Sequence, residues 1–185
     1  MGITPGETSA LKTQELLSSS LHVKTESIYG SGMIPRHWYP VSYSFDWKFT
    51  NGGRGTVWTT GESKVVYIDV ANPKLSLSQF IKIYGEPSEL FIVTYRGYKT
   101  HVYLVFSELG IIVDVNKTIS ESNYVTVRSK NQIDSITYID KEVLNKFMYY
   151  SIFGNILGEE IDEKLREILQ PWTGYGEYEI INFWQ

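Results

Sequence analysis

The chain has 185 residues, of which 42% are hydrophobic and 21% are charged, and this is the ordinary composition of a soluble globular protein. A formal net charge of −4 and the lack of a long basic run argue against a nucleic-acid-binding protein, because such proteins depend on cationic side chains that contact phosphates. The absence of cysteine excludes disulfides, thiolate metal sites and cysteine nucleophiles.

The first half of the sequence predicts one helix and then several short strands. Thr8 or Ser9 can cap a helix that ends near Ser20. The clearest strand covers residues 41–50, because apolar and polar residues alternate there as they do in a strand with one packed and one solvated face. The glycine-rich segment 51–55 follows it as a hairpin turn. The other strands predicted in this half cover residues 22–28, 56–60 and 64–70.

The segment 75–87 predicts a short helix with defined ends. Ser76 can cap its N-terminus, and Gln79 completes a capping box three residues later. Gly85 supplies the residue that closes the helix, and Pro87 prevents its continuation.

The second half predicts further strands and then two helices. Asp140 can cap a helix that ends near Gly154, and a second helix is predicted at residues 159–170, where apolar residues keep helical spacing. The aromatic, glycine-rich tail 172–178 is too apolar for a free tail, so we expect it to dock on the fold. The strands predicted in this half cover residues 90–95, 98–106, 111–115, 124–128 and 132–139.

These elements predict an α+β protein with two helix-plus-antiparallel-sheet units in tandem. Residues 1–72 form the first αβββ-type unit and residues 73–139 the second, since a turn, a helix, a hairpin and further strands recur in each. Residues 140–185 are predicted to form a helical pair and a docked aromatic tail that pack on these units.

Two short motifs resemble a known family. Gly6-Glu7-Thr8 before a helix resembles the Gly-x-Thr start of the modules of BamE (SmpA/OmlA), a small outer-membrane-assembly lipoprotein, and of its relatives. Tyr84-Gly85-Glu86-Pro87 resembles the Leu-Gly-x-Pro end of the same modules, and the tandem arrangement is similar to the β-lactamase-inhibitor-protein (BLIP-like) architecture. The first half lacks the Gly-x-Pro end, and the second half lacks the Gly-x-Thr start.

The resemblance implies a non-enzymatic protein-binding or scaffold module of a bacterial extracytoplasmic protein or lipoprotein. The first residues carry neither the basic nor the apolar region of a signal peptide. We therefore expect a periplasmic or cell-surface location if an export signal was removed, and a cytoplasmic adaptor otherwise. No run of about 18 apolar residues is present, so no transmembrane segment is predicted.

The sequence offers little chemistry. His22, His37 and His101 lie in different predicted elements without ligand spacing, so we predict no metal site and no cofactor, and His101 is predicted to be solvated. No phosphate-binding loop or nucleophile elbow is present. The alternative to a binding module is a small hydrolase or transferase, which would require His37 or His101 to meet carboxylates in a groove between the two units.

Aromatic residues are the candidate binding residues, since they make up 15% of the chain. In loops, at a sheet edge or in the tail they can form a recognition surface for a protein or a glycan, or else they cover the open side of the sheet. The candidates are Trp38, Tyr39, Trp58, Trp172 and Tyr175.

Overall fold

The protein is built on one large antiparallel sheet, so the prediction of two helix-plus-sheet units in tandem is wrong. The computed structural model describes residues 2–31, 41–60, 64–95, 99–118, 123–153 and 161–181. The helices are α1 (Ala10–Ser19), α2 (Leu77–Tyr84), α3 (Leu144–Phe153) and α4 (Ile161–Ile168). The strands are β1 (Tyr29–Ser31), β2 (Val41–Lys48), β3 (Arg54–Thr60), β4 (Val65–Ala71), β5 (Glu89–Tyr95), β6 (Lys99–Phe106), β7 (Ile111–Thr118), β8 (Tyr124–Val127), β9 (Ser135–Ile139), β10 (Gln170–Pro171) and β11 (Gly176–Glu179).

The order of the nine strands that form the large sheet in the described residues explains why two separate units do not form. The order is β1-β2-β3-β4-β9-β7-β6-β5-β10, with every pair antiparallel. Strand β9 lies between β4 and β7, and it pairs with β4 from Tyr67↔Ile139 to Ala71↔Ser135. The strands of the two halves therefore belong to one continuous hydrogen-bonded sheet. The domain boundaries predicted at residues 72/73 and 139/140 stay a prediction.

Helices α1 and α2 pack on one face of the sheet, which we call the first face. At one end of this face, Leu17 of α1 packs with Trp47 and Val57. At the other end, Leu77 and Phe80 of α2 pack with the strands β5, β6, β7 and β9. Tyr138 of β9 contacts both groups, so the hydrophobic core on this face runs across the junction between the halves.

Both of these helices begin where the sequence predicts. The Ser9 side chain accepts a hydrogen bond from the Lys12 N–H at 3.2 Å. In α2, the Ser76 hydroxyl accepts from the Gln79 N–H at 3.3 Å while the Gln79 side chain accepts from the Ser76 N–H at 2.9 Å. This capping box and the positive φ of 84° at Gly85 confirm the predicted ends of α2.

The predicted strand at residues 22–28 is wrong. A 3₁₀ turn occupies Thr25–Ser27, and the short strand β1 begins only at Tyr29. The Ser27 hydroxyl accepts from the Lys48 N–H at 2.8 Å and donates to the Lys24 carbonyl at 2.6 Å. The segment therefore pairs with its neighbour only through the single bridge of Val23 with Phe49, and the Ser27 side chain bonds to the backbone where the strand would continue.

Helices α3 and α4 pack on the opposite face, the second face. Leu144, Met148 and Leu165 are buried there against residues of β4, β5, β6, β7 and β9. The tail docks on the fold, because β10 pairs with β5 and forms the edge of the large sheet, while β11 pairs with β8 in a separate two-stranded sheet. Within the described part of the chain, none of the helices has the length and apolar character that a membrane crossing requires.

Candidate binding cleft

The second face carries a row of polar side chains beside the part that α3 and α4 pack on. Strand pairing places Asp46 opposite Thr56, Thr56 opposite Asp69, and Asp69 opposite Thr137. We call these four residues the polar row. The Thr56 hydroxyl donates to Asp46 Oδ1 at 2.5 Å, and the Thr137 hydroxyl donates to Asp69 Oδ1 at 3.0 Å. The row thus contains two carboxylates, on β2 and on β4 with β3 between them, and each accepts a hydrogen bond from a threonine hydroxyl.

Asp69 is the more buried of the two carboxylates. Burial raises the pKa of Asp69 above its usual range, while hydrogen bonds from Thr137 and Ser135 and the charge of Arg54 act in the opposite direction. Asp46, by contrast, is exposed. The two carboxylates of the row therefore differ in solvation, since Asp46 is exposed and Asp69 is partly desolvated.

Aromatic side chains border the polar row. Trp58 and Tyr67 are cross-strand partners whose rings stack with their centroids 5.2 Å apart. The ring centroid of Phe147, in α3, lies 5.3 Å from that of Tyr67. These rings and the polar row line an open cavity of about 340 Å³, which we call the aromatic cleft. Its lining residues are Ser44, Asp46, Thr56, Trp58, Tyr67, Asp69, Thr137 and Phe147.

A second cavity, of about 490 Å³, adjoins the aromatic cleft and shares Asp46, Thr56 and Asp69 with it. It is also lined by Lys48 and Arg54, which lie opposite each other on the paired strands β2 and β3 and are both exposed. The combined surface therefore has two carboxylates that border both cavities and two cations that border only the second.

His101 and Asp114 form a separate pair on the same face. The Nδ1 atom of His101 lies 3.0 and 2.9 Å from the two carboxylate oxygens of Asp114. Their side chains are 18% and 13% exposed, so the prediction of a solvated His101 is wrong. Burial raises the pKa of Asp114, the charge and hydrogen bond of His101 act in the opposite direction, and the charges of Asp134 and Asp69 raise it further.

The structure places the candidate aromatic residues apart from one another. Trp58 is 7% exposed on an interior strand and lines the cleft on the second face. Trp172 is half-buried and packs on the core of the first face, stacked on Tyr178. Tyr175 is 45% exposed and lines a different cavity beside Arg128. Trp38 and Tyr39 lie outside the described residues. Their binding role stays a prediction.

The cleft also contains residues that the sequence did not single out, chiefly Asp69, Tyr67 and Phe147. The polar alternation of β2 was a signal for Asp46, although it indicated only a solvated face. Asp69 and Thr137 meet because β4 pairs with β9, and that pairing has no local signature in the sequence. Among the described residues, no group of three His, Asp or Glu side chains is placed to hold a metal ion.

Comparison of the chain with protein-family models, with curated proteins and with solved structures found no match.

Proposed function

We propose that this protein is a non-enzymatic protein-binding module whose binding site is the aromatic cleft. The observation that carries the proposal is the cleft itself, a cavity of about 340 Å³ where three aromatic rings and two carboxylates meet on the second face of the sheet. Aromatic side chains that are buried in pockets typically contribute most of the binding free energy at protein–protein interfaces. The resemblance of two short motifs to BamE-like modules points in the same direction, and an extracytoplasmic location is part of this proposal.

The proposal is tested by selecting a displayed random-peptide library on the full chain. Thr56→Trp fills the cleft from a half-buried position, whereas Thr126→Trp adds the same bulk in a different cavity and serves as the matched control. We expect enriched peptides that bind the wild-type chain and the Thr126→Trp variant but lose binding to Thr56→Trp. If no peptide is enriched, or if both variants bind equally well, the proposed function is wrong.

A glycan is the other kind of partner that aromatic side chains can recognise. Screening the same three proteins on a glycan array separates the two possibilities. Cleft-dependent binding of glycans without any cleft-dependent peptide would replace the proposed protein partner by a glycan.

The contact between His101 and Asp114 favours a second candidate function, a small hydrolase or transferase. A histidine held by a carboxylate is the usual arrangement of a general base. The pair joins adjacent strands of one sheet and does not span a groove between two units. Under this hypothesis, purified protein hydrolyses at least one substrate of a chromogenic ester, phosphate-ester and glycoside panel, and Asp114→Asn lowers that rate about a hundredfold or more. Equal background rates for wild type and Asp114→Asn would exclude hydrolase or transferase activity on these substrates.

A further inference from the structure

The charge of the aromatic cleft differs from that of the surface next to it. The charged residues that line the cleft are Asp46 and Asp69, and no lysine, arginine or histidine is among its lining residues in the described part of the chain. Charge complementarity therefore indicates a cationic occupant. A volume of about 340 Å³ is near the lower end of the range of about 300–1,000 Å³ that small-ligand pockets have, so the occupant is of side-chain or small-molecule size.

The walls of the cleft indicate which cation fits. A guanidinium is planar, stacks on aromatic rings and donates several hydrogen bonds in a fixed fork, whereas an ammonium is a compact and strongly hydrated point charge. The cleft offers the rings of Trp58, Tyr67 and Phe147 beside carboxylates on β2 and β4. A divalent metal ion fits less well, since no group of three acidic or histidine side chains surrounds such a position among the described residues.

The adjoining cavity indicates that the cation belongs to a polypeptide. Lys48 and Arg54 line the adjoining cavity and are exposed, and Asp46 and Asp69 border both cavities. A peptide that places an arginine in the cleft and an acidic residue next to it would match both charges. A free cation would use only the first of these two surfaces.

We propose that the aromatic cleft accepts an arginine side chain of the protein partner, with Asp46 and Asp69 as its anionic contacts and the rings as its walls. This inference rests on the proposed function, and it adds the chemistry by which the partner is recognised. It also predicts that a recognised segment carries an acidic residue close to the arginine, where Lys48 and Arg54 can contact it.

The test is an NMR titration of the isotope-labelled full chain with N-acetyl-arginine methylamide. N-acetyl-citrulline methylamide, which has the same length and no charge, is the control probe. We expect the arginine probe to shift the Trp58 indole resonance in a saturable way, with a dissociation constant at least about fivefold lower than that of the citrulline probe. Equal binding of both probes, or no saturable shift with either, overturns the inference.

Variants of the chain show which carboxylates matter. Asp46→Asn and Asp69→Asn are expected to weaken binding of the arginine probe about fivefold each, whereas Glu108→Gln removes an exposed charge outside the cleft and leaves binding unchanged. Asp46→Asn keeps the test decisive if Asp69→Asn does not fold, because Asp46 is exposed. If Glu108→Gln weakens binding as much as the cleft variants do, net charge and not the cleft is responsible, and the inference is wrong.

The two proposals fail in distinguishable ways. Selected peptides that lose affinity for Thr56→Trp but bind Asp46→Asn as well as wild type would overturn the arginine inference and leave the proposed function standing. Binding of the arginine probe without any enriched peptide would overturn the protein-binding function and leave a guanidinium site.

Discussion

At the scale of single residues, Gly55 is constrained by a ring on the neighbouring strand. It pairs with Trp47, and a Cβ atom at this position would overlap the indole ring. Trp47 is 2% exposed and packs with Leu17 and Val57, so it has little room to move away. Only glycine lets the indole lie flat on the strand at this point.

We therefore expect Gly55→Ala to lower the free energy of unfolding by about 1–3 kcal/mol, which is the usual cost of overpacking a core. Urea unfolding followed by tryptophan fluorescence measures the change. Gly176→Ala is the control, since a Cβ atom there would meet nothing within 4 Å, and we expect a change within about 0.5 kcal/mol. Equal stability of Gly55→Ala and wild type would contradict the close contact with Trp47.

The buried carboxylate of Asp69 makes stability depend on pH. Because burial raises its pKa in the folded state, the folded chain holds this proton more tightly than the unfolded chain, whose Asp pKa is near 3.8. The contribution of Asp69 to stability is thus most favourable below pH 3.8 and decreases as pH rises towards the raised pKa.

Asp69→Asn removes this titration. We expect the stability of the variant relative to wild type to increase as pH rises from about 3 to 7, as measured by urea unfolding at several pH values. The exposed residue Glu108 provides the control, through Glu108→Gln. A constant difference between Asp69→Asn and wild type across this range would show that the carboxyl is not desolvated as the structure indicates.

At the scale of elements, α2 shows how much a local pattern can determine. Its capping box, its start after Ser76 and its end before Gly85 all follow from the sequence, because each depends on residues within one or two turns. The segment 22–28 could not be predicted in the same way, since the hydrogen bond of Ser27 is made to Lys48, a residue distant in the sequence.

The cap of α2 gives a prediction at this scale. Ser76→Ala removes the hydroxyl that accepts from the Gln79 N–H, and we expect it to lower the free energy of unfolding by about 1 kcal/mol. Ser18→Ala, at an exposed position inside α1, is the matched control and should be neutral or slightly stabilising, because alanine has the higher helix propensity. Thermal unfolding followed by circular dichroism compares the two variants, and an equal effect would contradict a specific cap.

At the scale of the whole molecule, the sequence predicted most strands but not how they combine. Hairpins such as β2–β3 were predicted because their turns are local. The insertion of β9 between β4 and β7 joins residues that are far apart in the chain, and the alternation within each strand does not show which strand is its neighbour. The same pairing aligns Asp69 with Thr137, so the cleft could not be predicted either.

A single sheet predicts a single unfolding transition. Ile136 of β9 is 3% exposed in the core of the first face. We expect Ile136→Ala to lower the free energy of unfolding by about 2–5 kcal/mol and to shift the single transition as a whole. Ile83→Ala, at a position 67% exposed, should change stability by no more than about 0.5 kcal/mol. Coincident curves by far-ultraviolet circular dichroism and by tryptophan fluorescence support one cooperative unit. Separate transitions would favour independent units at 1–72 and 73–139.

The position of β9 also has a consequence during translation. Strand β4 already has β3 as one neighbour, but its second partner, β9, is made only with residues 135–139. Tyr67 pairs with Ile139 across about 70 residues of chain. At a synthesis rate of about 5–20 residues per second, the ribosome needs roughly 4–14 seconds to cover that interval. During this time the edge of β4 that later pairs with β9 has no strand partner, and it includes the apolar residues Ile68 and Val70. The middle of the sheet is therefore completed late in synthesis, and this interval is when a ribosome-associated chaperone would act on the chain.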